Sequence, residues 1–426
     1  MAAYLSFMAD SSGARLTTSI RAGSARRLAA IPNLDALFSA RVRQGVGAAL
    51  AEVHGRVVFS SPPVGTWTVH LDDGRVRLSR GAALPADATV TADPATLAAV
   101  LEGRISGVEA FLDHGLVVRG NLALALQMDG AFDVGVRPPT HPVARVRMVN
   151  GVRTAYLEAG PREAPPVLLL HGLGATNASM LPLLADLARD HRVIAPDFPG
   201  FGASAAPRWA YRPRDLAQWL RAFQHDVGAE PAAIVGNSLG GRVAIELAMQ
   251  APDAVSRMVL LCPSPAFRRL RQFVPLVKLL PPDAVVTRIP IGHRAIVLGI
   301  RSMFSRPDRL SRQWYDAAAD EHQRVMRSYR HRRAFFAALR QIYLEEAFGD
   351  NGFWDRLPTM KTPALFVWGD HDRLVPASFE RHVVAAIPQA QSLVMPDCGH
   401  VPQFEHPERT AEITRAYLDR DSVRFL

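Results

Sequence analysis

One pentapeptide constrains this chain more than any other feature: Gly236-Asn237-Ser238-Leu239-Gly240, a G-x-S-x-G pattern. It follows the apolar run 232–235 (Ala-Ala-Ile-Val) and precedes 242–248, which has a helical pattern. A buried strand, a sharp turn carrying serine and a helix form the context of a nucleophile elbow. The turn holds the serine in a strained backbone, and the flanking glycines let neighbouring segments approach. The serine Oγ then stands at the C-terminal edge of a parallel sheet, over a helix N-terminus. Without that context a G-x-S-x-G pattern is weak.

The surrounding chain supplies it. Segments 144–148 and 153–158 predict a hairpin, and 167–170, 192–195, 259–262, 364–368 and 392–395 predict strands. Helical patterns lie between them, for example over 181–187 and 216–227. Strands alternating with helices imply a mostly parallel sheet covered on both faces. A Pro-rich stretch, 137–142 (Arg-Pro-Pro-Thr-His-Pro), reads as a linker between this region and an earlier one.

Residues 143–424 resemble the α/β-hydrolase family. The resemblance rests on the His171-Gly172-Leu173-Gly174 loop, the D-x-P-G-x-G-x-S segment from Asp197 to Ser204, the elbow, the W-G-x-x-D-x-x-x-P segment from Trp368 to Pro376, and the late Gly399-His400. It implies an α/β fold with a helical cap, here at 265–345. In that family the triad follows the chain order Ser, acid, His, which Ser238, Asp372 and His400 satisfy. A serine hydroxyl is a poor nucleophile unless a base takes its proton and a third group orients the base. The family pattern puts the acid third after the glycine, at Asp372; Asp370 is the alternative. Some relatives carry the acid after the preceding strand, but here that stretch is Pro263-Ser264-Pro265 and has no carboxylate. The oxyanion hole would use two backbone N–H groups, those of Leu239 and Leu173. His171 would be structural and His371 exposed. With serine at the elbow, alkyl-enzyme chemistry through an aspartate is excluded. No metal motif or dinucleotide fingerprint is evident, so no cofactor and no metal is expected.

The earlier region resembles the sterol-carrier-protein-2-like domain family over 35–136, after an extension at 1–34. A strand at 88–93 is followed by helical patterns at 94–101 and 107–112, then by Gly115-Leu116-Val117-Val118-Arg119-Gly120-Asn121. Leu122, Leu124, Leu126 and Met128 alternate with Ala123, Ala125 and Gln127, a period-two pattern that predicts a strand with one apolar face. The resemblance implies a small α+β domain with an apolar tunnel for acyl chains or sterols; a plain core is the other reading of that apolar face.

Charge sharpens the picture of the cap. The sixteen basic and five acidic residues of 268–340 account for more than the whole net charge of +9. The arginines mix with bulky apolar residues such as Phe267, Leu270, Phe273 and Leu276. Three readings stand: a lid with its arginines in water, an interfacial helix touching an anionic membrane, and recognition of an anionic group such as a phosphate. No nucleic-acid recognition motif accompanies the patch, so no nucleic acid is expected. No run of about 18 apolar residues predicts a transmembrane helix. Cys262 and Cys398, far apart, fit buried thiols in a reducing cytosol. The expected location is cytoplasmic, with peripheral membrane contact through the cap left open.

The functional expectation is a serine hydrolase acting on a carboxylic ester or thioester with an apolar portion, which the carrier-like domain would bind or present. Carbon–carbon bond hydrolases of this fold share G-N-S-x-G-G, as do residues 236–241, though usually with a glycine-richer oxyanion loop. Cofactor-free haloperoxidases share the serine. A lipid-binding carrier with a vestigial hydrolase half is the non-enzyme reading, against which the complete triad argues.

Overall fold

The computed structural model describes residues 32–43, 54–72, 74–112, 115–121, 124–125, 128, 142–266 and 292–419. Two sheets organise them. The smaller has five strands: β1 (Gly55–Ser61), β2 (Gly65–Asp72), β3 (Arg75–Arg80), β4 (Ala88–Ala92) and β5 (Leu116–Gly120), in the order β3-β2-β1-β4-β5. Helices α1 (Leu34–Arg43), α2 (Pro94–Glu102) and α3 (Gly107–Leu112) accompany it. Its core gathers Phe38, Phe59 and Trp67 with Val57, Val69, Leu97 and Val118. Helix α2 starts where Asp93 accepts the N–H groups of Ala95 and Thr96, and it ends at Gly103 in the left-handed region.

Within the apolar alternation at 122–128, the described residues are helical rather than extended. Strand β5 stops at Gly120, whose φ is 88°, and Asn121 Oδ1 accepts the Leu124 N–H at 3.1 Å, as a helix-capping residue does. Positions 124, 125 and 128 are helical and buried. Their i, i+1, i+4 spacing is one face of a helix, which a Leu–Ala alternation satisfies as readily as a strand.

The larger sheet has eight strands. Strands β6 (Val143–Val149) and β7 (Val152–Ala159) form an antiparallel hairpin. The others are β8 (Pro166–Leu170), β9 (Arg192–Pro196), β10 (Ala232–Asn237), β11 (Val255–Leu261), β12 (Ala364–Gly369) and β13 (Gln391–Met395). The order is β13-β12-β11-β10-β8-β9-β7-β6, parallel from β13 through β9. Both faces are covered, so the central strands are continuous apolar runs. Leu168 and Leu170 of β8 join one core with α5 (Pro213–Asp226) and α6 (Leu239–Gln250). Val167 and Leu169 join the other, with α4 (Leu181–Leu187) and the last helix, Pro407–Leu418.

Between β11 and β12 lie the cap helices α7 (His293–Arg301), α8 (Arg312–Met326) and α9 (Tyr329–Leu344). The apolar–basic stretch from Phe267 to Leu280, on which the interfacial reading of the cap turned, lies outside the described residues. Among the described residues the small domain touches the hydrolase-like region. Its edge strand β5 lies along α8 and its α3 along α4. Phe111 of α3 packs against both the small domain's core and the α4-side core of the larger sheet. Among the described residues no helix is long and apolar enough to cross a membrane.

Candidate active site

Four loops meet at the C-terminal ends of the parallel strands, where open α/β sheets place their sites. Ser238 joins β10 to α6 with φ 53° and ψ −113°, a region that non-glycine residues rarely occupy. The tight turn explains its glycines. A Cβ at Gly236 would lie 2.6 Å from the Gly240 carbonyl carbon, and one at Gly240 would lie 2.2 Å from Leu170 O. Nothing larger lets α6 approach β8 this closely. Asn237 and Leu239 are buried on either side of Ser238, which stays partly accessible.

Asp372 and His400 are brought together, both about 95% buried. His400 Nδ1 donates to Asp372 Oδ2 at 2.6 Å, which leaves Nε2 as the basic nitrogen. Asp372 is itself held in place: its Oδ1 accepts the N–H groups of Leu374 and Val375 at 2.7 and 2.9 Å. Asp370 bonds elsewhere, accepting the Cys398 N–H at 3.1 Å and the His371 ring at 2.7 Å. Ser238 Oγ makes no hydrogen bond among the described residues, including to His400. Such contacts are often long before substrate binds. The Asn237 side chain ties the two loops together: its Nδ2 donates to His400 O and to Leu261 O, each at 3.1 Å.

The loop from His171 to Gly174 lies beside the elbow. A Cβ at Gly172 would sit 3.4 Å from Ser238 Cβ. Leu239 opens α6 and Leu173 follows Gly172, and among the described residues neither backbone N–H is hydrogen-bonded. His171 anchors this loop from within the core. Its Nδ1 donates to Gly172 O at 2.8 Å and its Nε2 accepts the Phe198 N–H at 3.1 Å. Burial pushes the imidazole down to about 4, so it is neutral and both its nitrogens are used. Asp197 holds the adjoining loop, accepting the N–H groups of Asn177 and Ala203, and burial pushes its carboxyl up to about 7. His371 is exposed.

Cys262, Asp372 and His400 bring their sulfur, oxygen and nitrogen atoms within 4.8 Å of one another. Burial pushes the Cys262 thiol well up, with the Asp372 charge acting the same way. Its surroundings therefore favour the protonated thiol. Cys398 is likewise buried and free.

Several residues that hold the site carry no sequence motif of their own. Glu405 accepts the Gly399 N–H at 2.6 Å and the Ser305 N–H at 2.8 Å, so it ties the histidine loop to the cap. The His400 N–H donates to Met303 O at 2.7 Å. Arg242, one turn beyond Ser238 and 1% exposed, pairs with Glu246 at 2.7 Å and with Glu345 just past α9. Only Asn237, inside G-N-S-x-G-G, lay in a recognisable pattern.

Comparisons with known proteins agree with this architecture. The model of the Alpha/beta hydrolase family matches residues 167–413, and that of the SCP-2 sterol transfer family matches residues 35–133. An uncharacterised protein of Mycobacterium tuberculosis is 28% identical over 302 residues, 67% of this chain and 83% of that protein. A 2-hydroxy-6-oxo-6-(2'-aminophenyl)hexa-2,4-dienoic acid hydrolase of Metapseudomonas resinovorans is 31% identical over 285 residues, 64% of this chain and 91% of that enzyme. Among solved structures, a bacterial membrane phospholipase A has a TM-score of 0.56 and 26% identity, covering 66% of this chain and 86% of its own. Sheet order, elbow geometry and the extent of the match lead to one conclusion: the chain belongs to the alpha/beta hydrolase family, with an SCP-2 sterol transfer domain ahead of the hydrolase domain.

Proposed function

We propose that this hydrolase cleaves a carboxylic ester or thioester with an apolar portion through an acyl-enzyme on Ser238. The observation that carries the reading is the conjunction at the elbow. A partly accessible serine at φ 53° follows Asn237, whose side chain bonds His400 of the buried His400–Asp372 pair, and it lies near two unbonded backbone N–H groups. Ser238 Oγ attacks the carbonyl carbon while His400 Nε2 takes its proton. Asp372 keeps the ring in the tautomer that leaves Nε2 free and stabilises the imidazolium. The N–H groups of Leu173 and Leu239 receive the oxyanion, where preorganised donors count most. His400 returns the proton to the leaving alcohol or thiol. Water, deprotonated by the same nitrogen, then releases the acid. The carrier-like domain would bind or present the apolar portion.

The likeness to a phospholipase A and to the hexadienoate hydrolase supports two substrate classes. The ester reading accords with an SCP-2-type domain in the same chain, which suggests an apolar ligand. Carbon–carbon hydrolysis is the second reading, supported by Gly236–Gly241 and by that relative. Both are tested by one panel: p-nitrophenyl esters of increasing chain length beside 2-hydroxy-6-oxo-6-phenylhexa-2,4-dienoate, for wild type and Ser238→Ala. The expected result is ester turnover that rises with chain length and is lost in Ser238→Ala. Turnover of the dienoate alone would transfer the assignment to the second reading, and ester turnover that survives Ser238→Ala would sink the first.

A further inference from the structure

Helix α8 lies between the small sheet and the catalytic loops, and its two sides bond to different domains. On one side Asp320 Oδ2 accepts from Arg119 Nε at 2.7 Å, and Arg119 stands on β5. Asp316, one turn earlier, acts on the same guanidinium. His293 of α7 lies 3.2 Å from the other Asp320 oxygen. Two residues along a helix is a turn of about 200°, so His322 points the opposite way. Its Nδ1 lies 3.1 Å from Gly174 O, and because a carbonyl only accepts, Nδ1 carries the hydrogen. Burial holds the imidazole below its ordinary range, which keeps it in this neutral donor form. Gly174 directly follows Leu173, and a Cβ there would lie 2.8 Å from Phe335 Cε2 of α9. The cap therefore rests on the oxyanion loop and is bonded to it.

The Arg119 side chain is 56% exposed and that of Asp320 is 23% exposed. A pair this open to water adds little stability. It adds a directional tie to the packing of α8 along β5. We propose that His322 is a positioning residue for the oxyanion loop and that the SCP-2 domain sets its placement through Arg119 and Asp320. The hydrolase site is then tuned in cis by the neighbouring domain. This rests on the reading of Leu173 as an oxyanion donor.

The test uses the full-length chain with two readouts: amide hydrogen exchange over 172–176, and kcat and KM for p-nitrophenyl butyrate. Arg119→Glu should speed exchange in that loop and lower kcat about tenfold, with KM little changed, since a small misplacement of catalytic groups can cost up to about 100-fold. Reversing both charges, Arg119→Glu with Asp320→Arg, should restore both readouts. His322→Ala should reproduce the loss, and His322→Asn, whose amide N–H can reach Gly174 O, should recover most of it. Arg119→Ala serves where the reversal does not fold. Unchanged exchange at 172–176 in the Arg119 variants overturns the coupling, and a rise in KM alone overturns the positioning role. If wild type turned over no ester, the proposed function would fall by itself; the exchange readout would still decide the coupling.

Discussion

Ser238 occupies a backbone conformation that costs about 1–3 kcal/mol for a residue with a side chain, and the fold holds it there with three backbone bonds. Its N–H reaches Leu261 O, and its carbonyl accepts from Arg242 and Ser264. The two aspartates of the Gly369–Asp372 turn divide their work by geometry. Asp372 faces His400, while Asp370 caps the Cys398 N–H. Asp372→Asn should therefore lower kcat by about 10⁴-fold, since the amide favours the wrong imidazole tautomer. Asp370→Asn keeps an oxygen for Cys398 and should stay within about tenfold of wild type, as a loss outside the reacting groups does. Steady-state kinetics on the two variants separate the roles, and equal losses would contradict this division. At this scale the sequence could single out Ser238, Asp372 and His400 as candidates because each follows a recognisable strand, and the fold brings the last two into contact. It could not single out Glu405 and His322, because their partners, Gly399 and Gly174, are brought to them only by the cap.

At the scale of elements, the site is a junction of strand ends held by buried polar ties. His171 links the end of β8 to the loop after β9, with no nitrogen left to take a proton. In the unfolded chain the ring protonates near its ordinary 6.5, against about 4 in the fold. Its stabilising contribution is therefore complete above pH about 6.5 and is lost as pH falls towards 4, amounting to about 2 kcal/mol by pH 5. Asp197, raised from 3.8 to about 7, acts with the opposite sign: its share of stability is lost as pH rises over that interval. Only a comparison isolates the histidine. Urea unfolding at pH 7 and pH 5 should show wild type losing about 2 kcal/mol more than His171→Asn; parallel losses would refute the assignment. The parallel strands were legible as apolar runs because both of their faces are buried. Positions 124, 125 and 128 were misread as strand because alternating leucine and alanine suits a helix face and a strand face equally, and the deciding signal was the helix-capping Asn121.

At the scale of the whole molecule, two cores meet at Phe111, and the cap touches both domains through α8. The family resemblance made both domains legible, but their mutual placement was not. That placement depends on contacts such as Arg119 with Asp320, which are 201 residues apart and carry no pattern. The proposed function turns on one covalent event, transfer of an acyl group to Ser238. It is tested most directly by acid-quenching the enzyme within the first turnovers of a long-chain p-nitrophenyl ester and locating the adduct by peptide mass spectrometry. The account predicts one acyl group on the peptide bearing Ser238, absent in Ser238→Ala and strongly reduced in His400→Ala, which has no base to take the serine proton. Ester cleavage with no adduct, or with an adduct on another residue, would contradict it.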